Sequence, residues 1–154
     1  MKRYDWTALN RIQKGTFGEY FAKMEFTMFG AEVYTSEVDD RGIDFVCRFP
    51  NSGFYEVQVK TVTDMNLQFV NADKFKATGH FLVVLVRLTS ESAPELFVFR
   101  GTDWDSPDGI LKFNAYEGKE SKPAYEIRLS KSRLADLQQY KLECKYAELN
   151  SSPT

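Results

Sequence analysis

Apolar residues near the start of the chain recur at the spacing of a helix. Between Thr16 and Phe29 the large apolar side chains return every three or four residues, and Gly30 follows as a stop signal. These side chains are Phe17, Tyr20, Phe21, Met24 and Met28. The pattern predicts one helix over Thr16–Phe29, preceded by a shorter helical turn at Thr7–Gln13.

Runs rich in β-branched and aromatic residues follow this helix and predict strands. They are Ala31–Ser36, Ile43–Phe49, Phe54–Val62, Phe81–Leu88 and Glu95–Arg100, with a last strand at Tyr125–Leu129. A short helix is predicted at Asn71–Thr78, between the third and fourth strands. The segment Thr102–Pro123 is rich in Gly, Pro and Asp and predicts an irregular excursion.

The chain is predicted to close on a helix that Ser130 can cap and that runs through Leu149. One face of this helix would carry Leu134, Leu137, Tyr140 and Cys144. The order of elements predicts an α/β fold, a mixed central sheet flanked by helices. We expect a single domain over residues 1–149 and a flexible tail over residues 150–154.

Composition fits one folded domain: the chain has 154 residues, of which 43% are hydrophobic. No apolar run approaches the roughly 20 residues that span a bilayer. The segment Met1–Trp6 lacks the apolar core of a signal peptide. These features predict a cytoplasmic protein without a membrane partner.

The supply of metal-binding side chains excludes some sites. Cys47 and Cys144 match no ligand spacing and are expected to be buried thiols. Only one histidine exists, His80, so zinc sites built on several His or Cys ligands are excluded. His80 itself is interpreted as a loop or helix-end residue, and Trp104 as a core residue that could otherwise stack on a base.

The net charge of −2 argues against a protein that coats nucleic acid through general basicity. Acidic residues nevertheless outnumber basic ones between Glu19 and Glu56, and basic residues prevail between Lys119 and Lys145. An acidic centre beside basic flanks suits a site that binds a divalent cation next to phosphates. Ordinary surface variation explains the same distribution equally well.

The second and third predicted strands form a hairpin with one polar face. Side chains alternate along a strand, so Asp44 lies on one face of its strand, and Gln58 and Lys60 on one face of theirs. If the apolar faces are to share one side of the sheet, paired residue numbers must have an even sum. A three-residue turn, Asn51-Ser52-Gly53, with Gly53 at positive φ, meets this condition.

That register pairs Asp44 with Lys60, Val46 with Gln58 and Arg48 with Glu56. It predicts one polar patch of Asp44, Gln58 and Lys60, and an Arg48–Glu56 salt bridge. A carboxylate and an amide oxygen suit Mg²⁺, and Lys60 could meet a phosphate oxygen or orient an attacking water. On the hairpin alone, an ordinary Asp–Lys cross-strand pair worth roughly 0.2–1 kcal/mol is the simpler interpretation.

Three segments in order resemble the motif of the PD-(D/E)XK nuclease superfamily. They are Gly18-Glu19 in the early helix, Asp40-Arg41-Gly42-Ile43-Asp44, and Val57-Gln58-Val59-Lys60-Thr61. The sequence looks most like the branch with Gln in place of the second acid, as in type IV restriction endonucleases. Archaeal Holliday-junction resolvases have a similar core. The resemblance covers about Thr16–Leu88.

The resemblance implies roles for individual residues. Asp44 would bind the metal, Gln58 would stand where the second metal-binding acid usually does, and Lys60 would be the catalytic lysine. Glu19 would complete the site as the helix-borne acid, with Mg²⁺ as cofactor and Mn²⁺ as substitute. Thr61, Lys131 and Arg133 are candidates for contacts with nucleic acid, and the turn residues Asp39 and Asp40 are weaker metal candidates.

The function this predicts is a metal-dependent nuclease that hydrolyses phosphodiester bonds, with DNA favoured by the resemblance. Specificity would come from loops, from a separate partner or from a homodimer. One alternative is a catalytically inactive nuclease-fold module that binds nucleic acid or a protein. Another is an immunity-type partner protein, which the acidic pI near 5.5 permits. Gln58 offers a neutral oxygen instead of a carboxylate, which weakens the expected metal affinity.

Overall fold

The computed structural model describes residues 2–38 and 41–152. Asp39 and Asp40, interpreted above as turn residues, lie outside the described residues, as do positions 153 and 154 of the predicted tail. Within the described part of the chain, no helix is long and apolar enough to cross a membrane. Ser152 of the tail contacts the hairpin loop, where its carbonyl accepts a hydrogen bond of 2.9 Å from the Gly53 N–H.

Helix α1 spans Arg11–Met28 and begins earlier than predicted. Asn10 caps it: the Asn10 side chain accepts from the Gln13 N–H, and the Gln13 side chain accepts from the Asn10 N–H, both at 2.9 Å. This capping box satisfies two backbone donors that a helix start leaves open. The predicted turn at Thr7–Gln13 is instead a 3-10 helix at Trp6–Ala8.

The buried face of α1 differs from the stripe of large side chains read from the sequence. Tyr20, Met24 and Met28 are 63%, 57% and 79% exposed. The buried residues are Gly18, Ala22 and Phe26. Gly18 and Ala22 are small and let the helix approach the sheet closely, while Phe26 is fully buried in the core. Phe17 and Phe21 of the predicted stripe are partly buried against the same core.

A five-stranded mixed sheet forms the centre of the fold, in the order β1-β2-β3-β5-β6. Its strands are β1 (Glu32–Thr35), β2 (Phe45–Arg48), β3 (Tyr55–Thr63), β5 (Phe81–Leu88) and β6 (Glu95–Arg100). β3 and β5 are parallel, and the other neighbours are antiparallel. The predicted α/β class with a mixed sheet flanked by helices is confirmed.

A second, three-stranded sheet was not predicted. It has the order β4-β8-β7, with β4 at Gln68–Asn71, β7 at Leu111–Asn114 and β8 at Ala124–Ile127. β4 and the 3-10 helix Ala72–Lys74 connect β3 to β5. They take the place of the helix predicted at Asn71–Thr78, and β7 lies inside the predicted irregular excursion.

The closing segment is broken into several pieces and does not form one helix. A 3-10 helix at Lys131–Arg133 leads into α2 (Leu134–Leu137), and a further 3-10 helix at Gln138–Tyr140 precedes α3 (Leu142–Asn150). Leu137 and Tyr140 are buried as expected. Cys144 is exposed, so the prediction of two buried thiols holds only for Cys47.

Two hydrophobic cores lie on opposite faces of the central sheet. The first packs α1 and α3 against Val57, Val84 and Val86, among others. The second includes Val62, Val83 and Leu85 and lies under the smaller sheet and α2. Trp104 belongs to this second core, as expected, and its Nε1 donates to the Glu126 carbonyl at 3.2 Å.

The hairpin register differs from the prediction by two residues. Phe45 pairs with Val57 and Cys47 with Tyr55, so the even sum is confirmed but its value is 102, and the expected 104 is wrong. The turn closes one residue earlier because the Phe49 N–H donates to Ser52 Oγ at 2.8 Å. Gly53 is not among the glycines with positive φ.

The predicted Arg48–Glu56 salt bridge is consequently absent from the described structure. Arg48 pairs instead with Glu32 of β1 at 2.9 Å, and Glu56 pairs with Lys76. Asp44 does not pair with Lys60 in the ladder either, because the register has moved.

Candidate active site

Asp44 immediately precedes β2, at a point where the ladder is irregular. Phe45 pairs with Val57, and the Asp44 N–H also donates to the Val57 carbonyl, at 2.9 Å. Asp44 and Phe45 therefore both face Val57 of β3, which is the arrangement of a β-bulge and often re-aims a side chain beside a functional site. The Asp44 carboxylate turns towards β3, where Oδ2 accepts from the Val59 N–H at 2.6 Å.

Gln58 lies in the middle of β3, beside Val83 of β5, and is only 7% exposed. Its Oε1 is buried and has no hydrogen-bond partner among the described residues. Gly42, at φ +73°, packs over the amide, and a Cβ at position 42 would lie 3.4 Å from Gln58 Nε2. Leaving a buried acceptor unpaired lowers the free energy of unfolding by about 1–3 kcal/mol. The unpaired Oε1 therefore needs an explanation other than stability.

Lys60 follows two residues later on the same face of β3 and is half-buried. Burial lowers the pKa of its ammonium. The carboxylate of Asp44 acts in the opposite direction, while the charges of Lys74 and Arg11 lower the pKa further. The side chain therefore belongs to the same electrostatic neighbourhood as Asp44.

Helix α1 crosses β3 where Gly18 meets Thr61. A Cβ at position 18 would lie 1.8 Å from Thr61 Oγ1, so only glycine fits this crossing. Glu19, the next residue, is half-buried on the helical side of the sheet. The other site candidates, Gln58 and Lys60, share the opposite face of β3 with Val62 of the second core.

The Glu19 side chain makes no hydrogen bond or ion pair with residues 2–38 or 41–152. Lys131 and Arg133 lie in the 3-10 helix after β8, where Lys131 is exposed and Arg133 Nη1 donates to Ser130 Oγ at 3.5 Å. No described hydrogen bond or ion pair connects either cation to Asp44, Gln58 or Lys60. The structure thus brings Asp44 close to β3 and to Lys60, while Gln58 shares a face of β3 with Lys60 and Thr61 lies on the reverse face.

Three basic residues near the site were not selected from the sequence. Arg11 and Lys74 act on Lys60 electrostatically, and Lys14 joins Arg11 at the first turn of α1. Arg11 and Lys14 are three residues apart, which places them on one side of a helix. That spacing was visible in the sequence, but the predicted start of the helix at Thr16 left both residues outside it.

The oxygen donors at the site fit a magnesium ion. Among the described residues, no three His, Cys, Asp or Glu side chains are grouped so as to hold a metal. Asp44 offers a carboxylate and Gln58 the buried, unpaired Oε1. Two hard oxygen donors suit Mg²⁺ or Mn²⁺, because Mg²⁺ usually retains several waters and takes few protein ligands.

Comparisons with known proteins bear on the fold alone. No family model matches the sequence, and no curated protein matches it. Among solved structures the chain is similar to Hjc, a Holliday junction resolvase from the archaeal hyperthermophile Archaeoglobus fulgidus. The identity is 15%, the match covers 75% of this chain and 84% of that chain, and the TM-score is 0.47. The likeness concerns the course of the backbone and not the site residues.

Proposed function

We propose that the chain is a metal-dependent nuclease that hydrolyses phosphodiester bonds, with DNA as its polymer. The observation that carries the proposal is the buried Oε1 of Gln58, which no described residue satisfies. A strand interior gains nothing from such an atom, whereas a bound cation would give it a partner. The adjoining carboxylate and lysine are the groups that phosphodiester hydrolysis needs beside that cation.

Each residue of the site has a distinct role in this proposal. Asp44 and Gln58 would hold Mg²⁺, and when bound the ion would polarise the phosphate and lower the pKa of its water. Lys60 would donate a hydrogen bond to a phosphate oxygen and offset the charge that develops there. Glu19 remains the predicted additional acid from α1.

Desolvation at the site strengthens this role of Lys60. The ammonium is half-buried, and an electrostatic contact in a partly water-excluded site is stronger than the same contact in bulk water. The carboxylate of Asp44 balances part of the positive charge around Lys60. The charges of Arg11 and Lys74 attract a polyanion to the site. A nucleic acid strand could thus approach although the whole chain carries a charge of −2.

Titration calorimetry with Mn²⁺ tests the ligand assignment. Asp44→Asn should remove most of the affinity, Gln58→Glu should increase it by adding a charge, and Lys60→Ala should leave it unchanged or slightly higher. Glu56→Gln is the matched control. It removes a carboxylate from β3, the strand of Gln58 and Lys60, and that carboxylate is already paired with Lys76. Equal affinities in Asp44→Asn and the parent would contradict the assignment.

A catalytically inactive module that binds nucleic acid is the second candidate function. The observation in its favour is the neutral amide of Gln58 in the place of a second acid, with no three-ligand acidic group among the described residues. The two functions differ in one outcome: the module would bind DNA without cutting it at any concentration of Mg²⁺ or Mn²⁺. Homodimer formation stays a prediction under both.

A further inference from the structure

A polar cleft lies where the first turn of α1 meets the end of β3. It encloses about 300 Å³, and its lining includes Arg11, Lys14, Thr61, Thr63, Asn66 and Gln68. None of these residues is acidic. The lining therefore combines two positive charges with hydroxyl and amide groups, which is the chemistry of a receptor for an oxyanion.

The two cations of the cleft are not neutralised within the described structure. Neither Arg11 nor Lys14 takes part in any of its salt bridges or side-chain hydrogen bonds. The charge of Arg11 also reaches Lys60, so the cleft and the candidate active site are electrostatic neighbours. An anion in the cleft would meet both cations without displacing a carboxylate.

The edge of β3 beyond its pairing with β2 adds backbone hydrogen-bond donors on the same side as the cleft. The β2–β3 ladder ends at Phe45 and Val57, whereas β3 continues to Thr63, so no strand within residues 2–38 and 41–152 pairs with this edge beyond the bulge. Asp44 accepts from the Val59 N–H on this edge. Backbone groups alternate along a strand, and the N–H groups of Thr61 and Thr63 therefore point the same way as that of Val59.

Thr61 also contributes a side-chain oxygen that is unsatisfied. Its Oγ1 is buried and has no hydrogen-bond partner among the described residues. The hydroxyl is pressed against Gly18 on one side and belongs to a residue that lines the cleft on the other. Thr61 thus joins the crossing of α1 over β3 to the wall of the cleft.

We propose that this cleft binds a backbone phosphate of the nucleic acid, next to the phosphate that contacts Lys60. Arg11 and Lys14 would supply the charge, and Thr61 would supply its backbone N–H. Contacts of this kind position a strand without reading its sequence. The inference deepens the proposed function, because it names a nucleic acid strand as the ligand and places its path over α1 and the end of β3.

Fluorescence anisotropy with a labelled DNA duplex, in EDTA and across a salt series, tests this subsite without cleavage. The test variant is Arg11→Gln with Lys14→Gln, and the matched control is Arg3→Gln with Lys23→Gln. Lys23 lies further along α1 over the Tyr20 ring, and Arg3 lies over Tyr4, so the control removes the same charge elsewhere. Circular dichroism should show both variants folded.

We expect the test variant to bind roughly 50-fold more weakly near 0.1 M salt, and the slope of log affinity against log salt to fall by about 1.8. The control should match the parent. Equal losses of DNA affinity in the test and control variants would overturn the subsite, because the effect would then come from the overall charge. A parent protein that binds no DNA would overturn it as well. Binding that depends on Arg11 and Lys14 but is never followed by cleavage would leave the subsite standing and remove the nuclease.

Discussion

Asp44 and Val59 are joined by a hydrogen bond of 2.6 Å between the carboxylate Oδ2 and the backbone N–H. The bulge at Asp44 ends the regular β2–β3 ladder, so the side chain of Asp44 stands where a backbone carbonyl of β2 would otherwise accept. One carboxylate therefore stabilises the open edge of β3 and lies in the proposed metal site.

Substitutions at Asp44 should separate these two roles. Asp44→Ala removes a charged acceptor and should lower the free energy of unfolding by about 1.5–3 kcal/mol. Asp44→Asn keeps an acceptor oxygen for the Val59 N–H and should cost clearly less, although it also loses Mn²⁺ affinity. Urea denaturation of both variants measures the difference. Equal destabilisation by Asn and Ala would show that the hydrogen bond to Val59 is not the stabilising contact.

The crossing of α1 over β3 should tolerate no side chain at Gly18. A Cβ there would lie 1.8 Å from Thr61 Oγ1, so we expect Gly18→Ala to destabilise the fold by about 1–3 kcal/mol. A methyl group at Gly15 of the same helix would meet no neighbouring atom within 4 Å, and Gly15→Ala should instead stabilise by about 0.5–1 kcal/mol. Combining Gly18→Ala with Thr61→Ala should recover part of the loss. A neutral Gly18→Ala in thermal unfolding would contradict the close approach.

We expect Gln58 to lower the free energy of unfolding while it serves metal binding. Gln58→Met has similar volume and removes the unpaired Oε1, so it should raise the free energy of unfolding by about 1–3 kcal/mol while abolishing Mn²⁺ binding. Gln58→Glu should be destabilised without metal and regain stability as Mn²⁺ is added, by mass action. Gln68→Met, at a half-buried glutamine of β4, is the control. If Gln58→Met unfolds more easily than the parent, the amide is stabilised by something other than an ion.

The lowered pKa of Lys60 gives the protein a pH-dependent stability term. Burial is the largest cause, so the unfolded chain holds this proton more tightly than the folded chain does. The cost of burying the charged ammonium is full at neutral pH and disappears as pH rises from the lowered value towards the ordinary 10.5. Lys60→Met should therefore exceed the parent in stability at neutral pH.

The advantage of Lys60→Met should shrink as the pH rises towards 10.5, since the parent then loses the same charge. Unfolding of both proteins over a pH series measures this difference. Lys23→Met provides the comparison, because that lysine is on the outer part of α1 beside Tyr20. An advantage that stays constant with pH would mean that packing, and not the charge, explains the effect of the substitution.

Elements with strong apolar runs could be predicted from the sequence, and weaker ones could not. Phe81–Leu88 and Glu95–Arg100 have the bounds that were predicted, because buried strands are continuously apolar. The strands of the second sheet are only four residues long and carry polar residues such as Gln68 and Lys112. Their position depends on pairing with β8, a tertiary contact that no local pattern reveals.

The hairpin shows the same limit at the scale of single residues. Alternation of side chains predicted the even register, which holds, but the turn was placed at Asn51–Gly53. The hydrogen bond from the Phe49 N–H to Ser52 Oγ closes the turn earlier and moves the pairing, and the bulge at Asp44 then ends the ladder. A side-chain hydrogen bond of this kind competes with the backbone pattern and leaves no periodic signal.

The residues proposed for the site were selected mostly by a short motif, and their surroundings came from the fold. Gln58 and Lys60 share a face because they are two apart on a strand, which alternation alone predicts. The burial of Gln58 Oε1 and the closeness of Arg11 and Lys74 to Lys60 depend on how α1 and Gly42 pack. Those contacts span long stretches of sequence and were invisible in it.

Cleavage of labelled DNA by the parent and Lys60→Ala tests the central claim most directly. Linear, branched and single-stranded substrates would be incubated with Mg²⁺ or Mn²⁺, and Lys23→Ala, purified in the same way, would control for contaminating nucleases. We expect the parent and the control to cut at least one substrate only when the metal is present, and Lys60→Ala to be slower by roughly 10²–10³-fold. A parent that cuts none of the substrates, or a Lys60→Ala variant that cuts as fast as the parent, would contradict the account.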